Sequence, residues 1–139
     1  MNGKVEETTR QLEVKNISRL VPNMSLPDLA PLPGNRRYSL AVILGASAGK
    51  IYPLSKPRIV IGRGAECDLQ LADSEISREH AMLEIRGDEA TLIDLSSTNG
   101  VYVDGTRTER ATLFSHHEFA LGTTTLMFIV TETDSLAAE

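Results

Sequence analysis

Between Tyr38 and about Thr131 the chain is interrupted every few residues by a turn signal, and this punctuation constrains the fold more than any other feature. Segments rich in β-branched and aliphatic residues cover 38–44, 51–54 and 58–61, with breaks at Gly45, Gly49, Pro57 and Gly62. Residues 68–71, 80–85, 90–95 and 101–103 follow, separated by turns at Asp73-Ser74, Gly87-Asp88, Asn99-Gly100 and Asp104-Gly105. Residues 118–121 and 124–130 close the series. Strands this short, with turn signals roughly every 8 to 12 residues, predict an all-β chain: an antiparallel β-sandwich of about 10–11 short strands. No stretch leaves room for a long core helix.

The ends read differently. Residues 1–36 form the expected flexible tail, because Pro22, Pro27, Pro31 and Pro33 forbid a continuous helix or a central strand. Val14, Ile17 and Val21 fall near one face of a short helix, but an isolated helix of that length is marginal in water. The domain is then expected over 37–132. Residues 133–139 make a short C-terminal tail, frayed or leading to a further connection.

Composition excludes several classes of function. With 41% apolar and 24% charged residues the chain lies far from the disordered corner, so it is expected to fold. A net charge of −5 argues against general affinity for nucleic acid. No apolar run is long enough to span a bilayer and no signal-like start is present, which points to the cytoplasm and away from a membrane partner. Cys67 is the only cysteine and there are three histidines, so neither a disulfide nor a metal cluster is expected, nor any cofactor. No nucleophile, base and orienter set, P-loop or Rossmann glycine pattern is visible, and the chain reads as a binding protein rather than an enzyme.

Three segments place polar residues in turns beside strands: Ile61-Gly62-Arg63-Gly64, Ile76-Ser77-Arg78-Glu79-His80, and Asp94-Leu95-Ser96-Ser97-Thr98-Asn99-Gly100. Taken alone, Arg63 reads as a solvated arginine after a turn glycine, and Ser77 and Thr98 as turn caps bonded to local backbone. In order and spacing the three together resemble the forkhead-associated domain. That family carries a Gly-Arg pair, a Ser-x-x-His about 14 residues later and a Ser/Thr-Asn-Gly turn about 20 residues after that, and the likeness covers about residues 38–131. One departure is Ser115-His116-His117-Glu118, where many members have Gly-Asp before the penultimate strand.

The resemblance implies a receptor for phosphothreonine peptides. Positions matching Arg63, Ser77 and Thr98 contact the phosphate, Arg78 assists, and Asn99 bonds the peptide backbone. His80 braces the Ser77 loop, and Gly62 and Gly100 are backbone-geometry positions. The chemistry suits the ligand: phosphothreonine carries about −1.5 to −2 charge and three strong acceptor oxygens, which call for several fixed donors. Arg63 offers a planar fork, Arg78 a second cation, and Ser77 and Thr98 hydroxyl donors.

The tail adds an expectation of its own. Small bacterial regulators of this family often bear a threonine-containing N-terminal segment that a Ser/Thr kinase phosphorylates and the domain then captures. Thr8 and Thr9, in Glu-Glu-Thr-Thr-Arg, look similar, which makes the chain's own tail a candidate ligand beside a separate phosphothreonine protein. Two alternatives stay open from sequence: a sensor domain of a larger enzyme or transcription regulator, and a phosphate-independent scaffold.

Overall fold

The computed structural model describes residues 26–133, and among them there is no helix. Eleven strands run in the order β1 (Arg36–Leu44), β2 (Ile51–Leu54), β3 (Arg58–Gly62), β4 (Leu69–Gln70), β5 (Ala81–Arg86), β6 (Glu89–Asp94), β7 (Val101–Val103), β8 (Thr106–Thr108), β9 (Arg110–Phe114), β10 (His117–Leu121) and β11 (Thr124–Glu132). They form two sheets, one ordered β2-β1-β11-β10-β7-β8 and the other β4-β3-β5-β6-β9. The sandwich expected from the turn spacing is the observed architecture.

Period-two alternation selects the face each strand buries. On the first sheet Leu40, Leu126, Phe128, Phe119 and Leu121 point inward, and on the second Ile61, Leu83, Ile85, Leu92 and Leu113 meet them; each is at most 2% exposed. Burying one such side chain stabilises by about 1.5–3 kcal/mol, so these inner faces are what hold the layers together. Tyr38 stacks on Phe128 and donates its hydroxyl to the Gly87 carbonyl at 2.7 Å, tying the first sheet to the β5–β6 hairpin.

The second sheet is covered on its outer face as well. Val60, Met82 and Leu95 form a small outer cluster against which Leu26, Cys67 and Ile93 pack. Beside it Arg58 pairs with the buried Glu84 at 3.1 Å and donates to the Pro27 carbonyl at 2.7 Å. Leu32 packs on the main core. Residues 26–35 thus have no regular structure but lie against the sandwich. Thr8, Thr9 and the rest of 1–25 lie outside the described residues.

Two strands were not foreseen. β8 and β9 read TRT and RATLF, and Leu113 is the only side chain of the two strands that is fully buried, so no alternation marked them. All pairings but one are antiparallel, and the exception positions the site. β3 and β4 run parallel, with Ile61 opposite Leu69 and Gly62 opposite Gln70. The connection 63–68 therefore leaves the end of β3 and returns beside it. Ile61 also faces Ala81, which faces Asp94. The β4–β5 and β6–β7 connections consequently leave from the same end of the sheet as Arg63.

Candidate functional site

At that end a groove of about 430 Å³ is lined by Arg63 and Glu66 from the β3–β4 loop, Ser74 to Glu79 from the β4–β5 loop, and Leu95, Ser96, Thr98 and Asn99 from the β6–β7 loop. Arg63, Ser77, Arg78, Thr98 and Asn99, separated by up to 36 positions in sequence, share one rim.

Backbone contacts hold the first two loops together. Arg63 N–H donates to the Ser77 carbonyl at 2.9 Å and Gly64 N–H to the Arg78 carbonyl at 3.0 Å. Gly62 allows this approach: a Cβ there would stand 2.1 Å from the Arg78 carbonyl oxygen, far inside contact distance. Cys67 fills the space beneath and its thiol donates to the same carbonyl at 2.9 Å. Burial, with Glu66 and Glu79 nearby, pushes that thiol up to about 11, so it stays protonated and acts as a small packing group.

His80 joins the second loop to the third. Its Nδ1 accepts the Ser77 N–H at 3.0 Å, and its Nε2 donates to the Gly100 carbonyl at 2.8 Å. Gly100 itself sits at φ +88°. In the third loop Ser96 adopts φ +58°, a left-handed conformation that costs a non-glycine residue about 1–2 kcal/mol. The strain is held by two caps: Asp94 accepts Ser97 N–H at 3.1 Å, and Ser97 Oγ accepts Gly100 N–H at 2.9 Å.

Hydrogen bonding inside the loops decides which atoms remain for a ligand. Ser77 Oγ accepts Thr98 N–H at 3.1 Å, which leaves its own O–H to donate outward. Arg63 Nε donates to the Ile76 carbonyl at 2.9 Å, which orients the guanidinium and leaves its Nη groups for an anion. Asn99 Nδ2 donates to the Glu75 carbonyl at 2.8 Å and to the Glu75 carboxylate at 3.1 Å. Both amide hydrogens are thereby used, and Asn99 can meet a ligand only through Oδ1, as an acceptor. Arg78 pairs with Glu66 at 3.1 Å at the exposed edge.

Two arginines and three glutamates line the groove, so it is no broad basic field. Directed donors, rather than net positive charge, must grip an anion here. Among the described residues no group of three or more His, Cys, Asp or Glu is placed to hold a metal. His116 lies in the turn between β9 and β10 at φ +75°, and His117 starts β10 with Nε2 3.4 Å from Asp104; both are remote from the groove lining. Sequence reasoning missed Glu75 and Asp73, because neither touches a ligand in the expected pattern and their partners are 24 and 50 positions away.

Sandwich and loop cluster together define a forkhead-associated domain. Residues 41–132 match the family model described as inner membrane component of T3SS, cytoplasmic domain; the chain belongs to that family and to the forkhead-associated domains. It is 33% identical over 90 residues to the glycogen accumulation regulator GarA of Mycolicibacterium smegmatis, covering 65% of this chain and 57% of that one. The chain thus spans little more than half of that relative's length. Among solved structures it is similar to the FHA domain of CT664 from Chlamydia trachomatis, with a TM-score of 0.63, 32% identity and coverage of 67% of this chain and 96% of that one. A second, solved in an analysis of phosphothreonine-dependent FHA domain interactions, has a TM-score of 0.60 and 29% identity, covering 67% of this chain and 95% of that one. Among the described residues no helix is long and apolar enough to cross a membrane.

Proposed function

We propose that this chain is a phosphothreonine-peptide receptor in Ser/Thr kinase signalling. The observation that carries the reading is the meeting of Arg63, Ser77, Arg78, Thr98 and Asn99 on one groove rim. Arg63 Nη groups and the Ser77 hydroxyl supply charge-assisted donors for the phosphate, with Thr98 and Arg78 beside them, and Asn99 Oδ1 accepts a backbone N–H of the peptide. A charge-assisted hydrogen bond contributes about 1.5–3 kcal/mol, so two or three give reversible affinity without a deep pocket. The similarity to a structure solved for phosphothreonine-dependent interactions supports the same reading. Screening a phosphothreonine peptide library and its unphosphorylated counterpart tests it. Selective capture of phosphorylated peptides is expected; equal capture of both would favour a phosphate-independent scaffold.

A second element concerns the chain's own tail. Leu26 packs in the cluster that contains Cys67 and Leu95, and both of these adjoin the groove loops. Thr9 precedes Leu26 by 17 positions (26 − 9). A flexible chain of that length spans roughly 23 Å r.m.s.. Tethering so close to the groove sets an effective concentration near millimolar, at which a weak phosphothreonine contact from Thr8 or Thr9 closes on the domain.

A further inference from the structure

Four of the hydrogen bonds that fix the β4–β5 loop end on one carboxylate. Asp73 Oδ1 accepts Glu75 N–H at 2.9 Å, within the loop. Asp73 Oδ2 accepts Thr123 N–H at 2.9 Å and the hydroxyls of Thr123 and Thr124 at 2.8 Å each. Those three donors belong to the β10–β11 turn and the start of β11, in the opposite sheet. Packing there is as close as the bonding. Gly122 sits at φ +58°, and a Cβ on it would stand 2.8 Å from Ile76 Cγ1 and 3.0 Å from Asp73 Oδ2.

Contact then runs onward to the ligand groups. The Asp73 carbonyl accepts Ile76 N–H at 3.0 Å, Ile76 is 1% exposed, and its carbonyl accepts Arg63 Nε. Ser77 follows directly. Burial pushes the Asp73 carboxyl up, but the bonds from Glu75, Thr124 and Thr123 outweigh it and hold the group below its ordinary value, so it remains a full acceptor near neutral pH.

We propose that Asp73, locked onto the turn at 122–124, is the residue that positions Arg63 and the 74–78 loop, so that side chains of the far sheet that touch no ligand set part of the affinity for phosphothreonine. This rests on the reading of the groove given above.

The test compares full-length wild type, Asp73→Asn, Gly122→Ala, Thr124→Val and Ile85→Val. The last trims the core at the opposite end of β5 and serves as a stability control. One phosphothreonine peptide selected from the library is titrated at a temperature where denaturant curves show each variant folded, and amide spectra of the free proteins are recorded. Asp73→Asn and Gly122→Ala are expected to weaken binding at least about tenfold and Thr124→Val about threefold, with Arg63, Ser77 and Arg78 amides displaced; Ile85→Val binds as wild type. Should Asp73→Asn fail to fold, the other two turn variants carry the comparison. Unmoved Arg63 and Ser77 amides, or affinity that falls equally in Ile85→Val, would overturn the positioning role. Displaced amides in a protein that shows no preference for the phosphorylated peptide would uphold the positioning and reject the ligand instead.

Discussion

His80 Nδ1 accepts the backbone N–H of Ser77 at 3.0 Å, so the ring at the end of the β4–β5 loop fixes the serine that faces the groove. One nitrogen being an acceptor, the other must carry the proton, and it donates to Gly100. The ring is fully buried and held as a single neutral tautomer. A second proton would set N–H against N–H.

That arrangement makes stability depend on pH. Burial lowers the His80 pKa below its ordinary 6.5. Between the folded and unfolded values the unfolded chain binds more protons, so this contribution is complete above about pH 6.5 and is lost as pH falls through the window below it. Expected is an imidazole that titrates below the ordinary histidine value by nuclear magnetic resonance. His80→Ala, which leaves the part-buried Ser77 N–H and the buried Gly100 carbonyl without this partner and opens a cavity, should cost about 3 kcal/mol in urea unfolding.

Arg58 and Glu84 supply a second stability test. The pair is largely buried at 3.1 Å, and Arg58 also holds the Pro27 carbonyl. Glu84 keeps a second partner in Arg86 at 3.6 Å, so losing Arg58 removes charge-assisted bonds that contribute about 1.5–3 kcal/mol and does not strand a buried charge. Arg58→Ala should therefore destabilise by that amount and speed proteolysis within 26–33, while leaving the affinity of the folded protein for phosphopeptide unchanged.

Ser77→Ala separates recognition from folding. It deletes the outward hydroxyl donor and the acceptor for Thr98 N–H, but that amide lies at an exposed position where water replaces the bond. Stability should fall by no more than about 1 kcal/mol. Phosphothreonine peptide affinity should drop about tenfold or more in calorimetric titration.

Closure of the tail on the groove predicts competition. Phosphorylating the full chain on Thr8 or Thr9 should weaken binding of an added phosphothreonine peptide at least about tenfold, and Thr8→Ala with Thr9→Ala should restore it. Undiminished affinity of the phosphorylated chain would exclude intramolecular capture.

Much of the sandwich was legible because alternation in 38–44 and 124–130 and the turn at Asn99-Gly100 are local signals. β8 and β9 were not, since edge segments as polar as Thr-Arg-Thr pack little. For the site, the order of Arg63, Ser77 and Asn99 carried the family likeness. Their convergence did not follow from periodicity, because successive hairpins place loops at alternating ends; the parallel β3–β4 pairing breaks that rule. Asp73 and Glu75 stayed hidden for the same reason: what they do depends on turns that only tertiary folding brings near.

The most direct measurement is the affinity of a selected phosphothreonine peptide and its unphosphorylated form for wild type and Arg63→Ala, with denaturant stability measured alongside. Wild type should bind only the phosphorylated form, and Arg63→Ala should bind it at least about tenfold more weakly at nearly unchanged stability, the loss of one charge-assisted contact. Equal affinity of the two proteins for that peptide would contradict the assignment of this groove.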